Sequence, residues 1–189
     1  MNNSHRFKIL VDSGRTVFTP LELRMLWQEA ELNAKTSALR MVEKKLLIRL
    51  GKGYYALHKN YNANELANRI VSPSYVSFQP ALAYAGLNFQ PQGDIGSVAR
   101  INKRKIVDGR LYTYAAMKPE IFFNTDGLIL RNGAAIASPE RAVLDSFYFG
   151  FLPDAADLSK LNMTALKRLV VLYPRTVQKK ARNLYENPL

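Results

Sequence analysis

The chain has 189 residues, of which 48% are hydrophobic, enough apolar side chain for real cores and too much for global disorder. Its 27 basic and 15 acidic residues leave a formal net charge of +12, which favours a polyanionic partner and steers one toward the protein. The lack of cysteine excludes a disulfide framework and thiolate metal sites, and no apolar run is long enough for a bilayer. The start does not resemble a signal peptide, so the expected compartment is the cytoplasm.

A change in texture near residue 60 predicts two units, 1–59 and 60–189. The first carries 11 basic and 5 acidic groups and the second 16 and 10, so the positive charge is denser in the first. Ser4 to Val11 reads as a helix with Phe7, Leu10 and Val11 inward and Gly14 ending it. A short β-prone piece, Thr16 to Phe18, follows. Thr19-Pro20 is a hydroxyl cap with proline at the first helical position, opening a helix over Pro20–Glu29 with Leu23, Leu26 and Trp27 inward.

After a polar link through Glu31 and Asn33 comes the stretch around which the chain is organised, Asn33 to His58. From Ala34 to Leu47 it holds good helix formers and no proline or glycine. Ala38, Leu39, Val42 and Leu46 define a buried stripe, and Ser37, Arg40 and Lys44 share the opposite, exposed face. Leu47 to Leu50 and Tyr54 to Leu57 are β-prone runs joined by Gly51-Lys52-Gly53, a hairpin with lysine at its tip. Helix, strand, helix, turn, helix and hairpin is the element order of a winged helix-turn-helix, in which the third helix enters the major groove and the hairpin touches the flanking backbone.

On that reading Lys35, Thr36, Ser37 and Arg40 reach base edges, with Arg40 the leading guanine reader because its fork matches O6 and N7 together. Lys44, Arg49 and Lys52 are phosphate partners. The plain alternative is a solvated face on an ordinary amphipathic helix.

Lys59 to Asn64 reads as a linker, Glu65–Ile70 as a helix stopped by Pro73, and Ser77 to Gly86 as another helix. Beyond Pro91 the pattern predicts strands: Ile95–Ile101 and Leu111–Ala115 around the Asp108-Gly109 turn, then Ile121–Phe123, Gly127–Leu130 and Ala134–Ile136. Ser138-Pro139-Glu140 starts a helix to Phe149, with Ala142, Val143, Leu144, Phe147 and Tyr148 toward a core. Met163–Tyr173 and Pro174–Tyr185 are the last helical stretches. The fold class expected is α+β, a winged helix-turn-helix followed by a small α+β unit with an antiparallel meander.

Two further basic clusters, Arg100, Lys103, Arg104 and Lys105 on a strand and its turn, and Lys167, Arg168, Lys179 and Lys180 on the last helices, are either a second nucleic-acid or partner surface or solvated charge. Enzyme readings fare badly. His5 and His58 are isolated, no glycine-rich phosphate loop is present, and the nuclease-like Glu43-Lys44-Lys45 falls on a helix. No cofactor or metal is expected.

Three segments resemble the AbiEi family, the antitoxins of type IV toxin–antitoxin systems. They are Arg49–Leu57 (RLGKGYYAL), Tyr75–Leu87 (YVSFQPALAYAGL) and Ile136–Asp145 (IASPERAVLD), in the family's order and spanning most of the chain. Departures are Phe78-Gln79-Pro80, where small or apolar residues are usual, Arg141, where lysine is common, and a shorter C-terminal region. The resemblance implies an autorepressor that binds inverted repeats of double-stranded DNA in its own promoter. It also implies an antitoxin that opposes a nucleotidyltransferase-type toxin without a stable complex, with Glu140 and Asp145 structural. A stand-alone regulator with a ligand-sensing C-terminal unit is the alternative.

Overall fold

The computed structural model describes residues 2–88, 93–153 and 157–186, so Pro91 lies outside the described residues. Helix α1 (Asn3–Asp12) is capped by the Asn2 side chain, and Gly14, at φ +66°, turns the chain into β1 (Val17–Phe18). Helix α2 (Pro20–Trp27) starts in a full capping box. Thr19 accepts the Glu22 backbone N–H, and the Glu22 carboxylate accepts the Thr19 N–H. Helix α3 (Glu31–Glu43) leads to a hairpin of β2 (Ile48–Gly51) and β3 (Tyr54–Ala56). The three strands form an antiparallel sheet ordered β1-β3-β2. Leu10, Phe18, Leu23, Trp27, Ala38 and Met41 are central to a first core, where the Trp27 indole N–H donates to the Arg6 carbonyl at 3.3 Å.

The second core is built on a six-stranded sheet. Its strands are β4 (Ser74–Val76), β5 (Ile95–Ala99), β6 (Lys103–Val107), β7 (Arg110–Ala116), β8 (Leu128–Arg131) and β9 (Ala134–Ala137), ordered β6-β7-β5-β4-β9-β8. Helix α4 (Ala63–Ile70) packs on one face, where the Tyr114 hydroxyl donates to the Ala67 carbonyl at 2.6 Å. Helices α5 (Phe78–Tyr84) and α7 (Pro139–Tyr148) cover the other, backed by α8 (Met163–Leu169) and α9 (Arg175–Glu186). Between β7 and β8 lies α6 (Pro119–Phe122). Among the described residues no helix is long and apolar enough to cross a membrane.

The mixed α+β class holds, and four local expectations change. The large sheet is mixed and not an antiparallel meander, because β5 runs parallel to β7 and β4 parallel to β9. The Asp108-Gly109 turn joins β6 to β7, with β5 on the far side of β7. The charged Lys103-Arg104-Lys105 looked like a turn, and it is tolerated as strand because β6 is an edge. Central β4 is only three residues long, too short to show a periodicity. The Ile121–Phe123 segment belongs to a helical turn, started by proline at the first position of α6.

The small sheet serves both cores. Phe18 and Tyr55 point into the first, while Val17, Tyr54 and Ala56 belong to the second. A polar seam crosses the same junction. The Thr16 backbone N–H and hydroxyl both donate to Glu65 Oε2, at 2.9 and 2.6 Å, and the Asn62 N–H donates to the Thr16 hydroxyl. Arg69 bridges Glu65 of α4 (3.0 Å) and Glu22 of α2 (3.1 Å). Gly133, at φ +75° in the β8–β9 turn, closes over this seam, and a Cβ there would lie 3.1 Å from Glu65 Oε1.

Candidate nucleic-acid interface

Three residues join α2 to α3. Gln28 takes a left-handed conformation (φ 53°), Glu29 pairs with Arg6 of α1 at 2.6 Å, and Ala30 precedes the first turn of α3. Helix α3 buries Ala34, Ser37, Ala38 and Met41 against the first core. These recur at intervals of three and one, one face of a 3.6-residue helix. Its outer face carries Leu32, Lys35, Leu39, Arg40, Glu43 and Lys44.

This geometry corrects two assignments. Ser37 lies inward, only 6% exposed, and is not a base-reading candidate. Leu39 is 43% exposed and does not belong to the buried stripe. The register was misjudged because alanine and serine contribute little hydrophobic signal at the positions that do face the core. The helix also begins earlier, at Glu31, and ends earlier, at Glu43. Lys45 then takes φ +58°, and its N–H donates to the Val42 carbonyl, while the Leu46 N–H donates to Met41.

On the outer face Lys35 is paired with Glu31 one turn back at 2.5 Å, a hydrogen bond that holds the Glu31 carboxyl below the usual carboxylate range. The Thr36 hydroxyl donates to the Leu32 carbonyl at 2.9 Å, which leaves it a lone pair but a fixed orientation. The side chains of Arg40 and Lys44 are exposed and make no hydrogen bond or ion pair among the described residues. Their charge is therefore uncommitted.

The hairpin turns through Lys52 and Gly53, with Gly53 at φ +85° and a bulge between Arg49 and Gly51 that adds twist. Lys52 and Arg49 are exposed. The other side of the hairpin is braced on the second unit. Lys105 of β6 lies 4.5 Å from the centre of the Tyr54 ring and donates to its hydroxyl at 3.2 Å, and Val107 stands against Gly51. The hairpin is thus held in place by β6, with its lysine turn left in solvent.

The second basic group divides. Strand alternation sends Lys103 and Lys105 to the α4 side, where the Lys103 ammonium donates to the Ile70 carbonyl at 3.4 Å. Arg100 donates to the Met117 carbonyl. Arg104 faces the other way, exposed and without a partner among the described residues. These four form no continuous surface. Lys167 and Arg168 on α8, and Lys179 and Lys180 on α9, are all exposed. Sequence reasoning passed over Arg24, which shares a cleft of about 380 Å³ with Thr19, Pro20, Leu21, Glu31 and Lys35. An exposed cation in the helix directly before α3 was the available signal.

The run Ile136–Asp145 is largely buried, with Ser138 and Pro139 half-buried. Glu140 accepts the Asn162 N–H at 3.0 Å, and Asp145, fully buried, accepts hydrogen bonds from Ser77 and Tyr173, both at 2.7 Å, and from Tyr75 at 3.4 Å. Among the described residues no group of three or more histidines, cysteines or carboxylates could hold a metal ion. No protein-family model matches the chain, and no curated protein matches it.

Proposed function

We propose that residues 1–59 form a winged helix-turn-helix that binds double-stranded DNA, and that the protein is an autorepressor acting on inverted repeats in its own promoter. The observation that carries this reading is Arg40 and Lys44, uncommitted on the outer face of α3, together with a hairpin that exposes Lys52 at its turn. The 13 residues of α3 make a rod roughly 20 Å long, and a B-form major groove about 12 Å wide admits one helix. The sheet order β1-β3-β2, with the hairpin directly after α3, also supports it. Bracing by Lys105 and Tyr54 keeps the hairpin at one angle, so groove and backbone contacts are set in a fixed relation.

Arg40 is the base reader on this reading, with Lys35 and Thr36 beside it. Lys44, Arg49 and Lys52 contact phosphates. The antitoxin role, opposing a nucleotidyltransferase-type toxin, rests on the three segments similar to the AbiEi family. Co-expression with a nucleotidyltransferase-like neighbour gene tests that part: restored growth supports it, and unrelieved toxicity overturns it.

The DNA reading is tested by gel shift on the protein's own upstream DNA across a salt series. Arg40→Ala is expected to cost about 1–3 kcal/mol and to relax preference at one operator position. Lys52→Ala is expected to weaken all sequences alike and to reduce the salt slope by about one. Unchanged site preference in Arg40→Ala removes it as reader. Absence of salt-dependent binding by the wild type ends the proposal.

A further inference from the structure

We propose that the cavity beside β5, β7 and β6, on the face of the large sheet that also carries α5, binds a small ligand. Its ligand is a flat aromatic ring bearing an anionic group and an N–H donor. The cavity measures about 810 Å³, within the range of small-molecule sites, and its walls include Phe78, Phe151, Leu152, Thr113, Arg104 and Asp94.

Its floor is a rung of the sheet. Gly96 pairs with Thr113, and Thr113 with Arg104, so all three project to one face. Arg104 turns its side chain to this face, whereas Lys103, which also borders the cavity, sends its ammonium to the α4 side, as Lys105 does. Two strand spacings put the Arg104 backbone roughly 10 Å from Gly96.

The aromatic wall stands at the other end of that rung. Phe78 holds φ +60°, a strained conformation for a bulky residue, and its ring meets Phe149 and Phe151 edge-on, each at 5.7 Å. The ring occupies the space a side chain would take at residue 96, where a Cβ would come within 3.0 Å of Phe78 Cδ2. Glycine at 96 therefore lets the ring lie down on the sheet.

The charges supply the polarity. Asp94 precedes Gly96 by two residues, roughly 7 Å along the strand direction. Neither Asp94 nor Arg104 makes an ion pair among the described residues, with each other or with anything else. A ring against Phe78 and Phe151 can place an anionic group on the Arg104 guanidinium and an N–H toward the Asp94 carboxylate. Purine mononucleotides and amino-substituted aromatic carboxylates share this chemistry.

Titration calorimetry on the full chain, without DNA, tests it with GMP, guanosine, inorganic phosphate and 4-aminobenzoate. GMP or 4-aminobenzoate is expected to bind with a dissociation constant below roughly 1 mM. Which of the two binds more tightly identifies the source of the ring. Guanosine and phosphate alone should bind at least about tenfold more weakly than GMP, because each offers one half of the match. Arg104→Ala, an exposed edge-strand change that leaves the cores intact, should lower the affinity for the anionic ring about tenfold or more. Gly96→Ala should do the same by displacing Phe78. The proposal is overturned if neither anionic ring binds, if GMP binds and guanosine matches it, or if either variant keeps wild-type affinity for the ring that binds. Because no DNA is present, failure here leaves the DNA reading untouched, and the reverse also holds.

Discussion

Asp145→Ala is expected to lower the stability of the protein by about 3–5 kcal/mol, with the thermal midpoint falling by roughly 10 °C. The carboxylate is fully buried and is the common acceptor for the Tyr75 and Ser77 hydroxyls of one segment and the Tyr173 hydroxyl of another, far along the chain. Tyr75 is in turn linked to Arg141, whose guanidinium lies 4.8 Å from its ring centre and donates to its hydroxyl at 3.3 Å. Arg141 also donates to the carbonyls of Ile121, Asn124 and Asp126, tying the α6–β8 loop to α7. Alanine at 145 leaves the Ser77 and Tyr173 hydroxyls in the interior without an acceptor, leaves the Tyr75 hydroxyl only the weak Met117 sulfur at 3.6 Å, and leaves Arg141 without a nearby counter-charge. Urea denaturation gives the number, and a loss under about 1 kcal/mol would contradict the network.

The same residue has a pH signature. Burial raises the Asp145 carboxyl above its ordinary range, an effect only partly offset by the Tyr173 and Ser77 hydrogen bonds. A group whose folded pKa is raised binds its proton more tightly in the folded state, so stability falls as pH rises from the unfolded value through the folded one. Below both values this penalty is absent, and above both it is constant. Asp145→Asn lacks the titration, so wild-type stability should decline relative to that variant across this window as pH increases. A stability difference that stays constant, or that grows in favour of the wild type with rising pH, contradicts the raised pKa.

Glu65→Ala is the second large effect, expected to cost about 3 kcal/mol or more. Glu65 has no exposed surface and accepts both donors of Thr16, so its removal leaves a backbone N–H and a hydroxyl unpaired at the junction of the two cores. Arg69 keeps Glu22 but loses its closer carboxylate. Hydrogen exchange locates the damage: the Thr16 amide, which donates to this carboxylate, should lose protection before the amides of α7 do. Thr16→Val, which removes only the hydroxyl, should cost about 1 kcal/mol. Unchanged protection at the Thr16 amide in Glu65→Ala would show that the seam does not join the units.

The legible parts of the fold were those with short-range causes. Thr19-Pro20 and Ser138-Pro139 each mark a helix start because the capping groups and the fixed proline φ lie within one turn. Asp108-Gly109 and Asn132-Gly133 mark tight turns because both residues of each pair adopt positive φ. The exposure of Arg40, Lys44, Arg49 and Lys52 followed from helical spacing and hairpin position. Ser37 did not follow, because a small side chain reads as polar whichever way it faces, and only packing against Leu10 and Trp27's core chose its side.

By itself the sequence determined the capped helix starts and the Gly-containing turns, the overall positive charge, and a cationic third helix ahead of a lysine-tipped hairpin. Those properties arise from neighbours within a few positions along the chain. The tertiary structure alone decided that β5 and β4 take parallel partners, that the hairpin leans on β6, and that Arg104 parts from Lys103 and Lys105. It also decided that Asp145 and Glu65 are buried acceptors. The physical reason is that strand pairing and the satisfaction of buried polar groups join residues far apart in sequence, such as Ser77 with Asp145 and Thr16 with Glu65. Local propensity carries no information about those pairings.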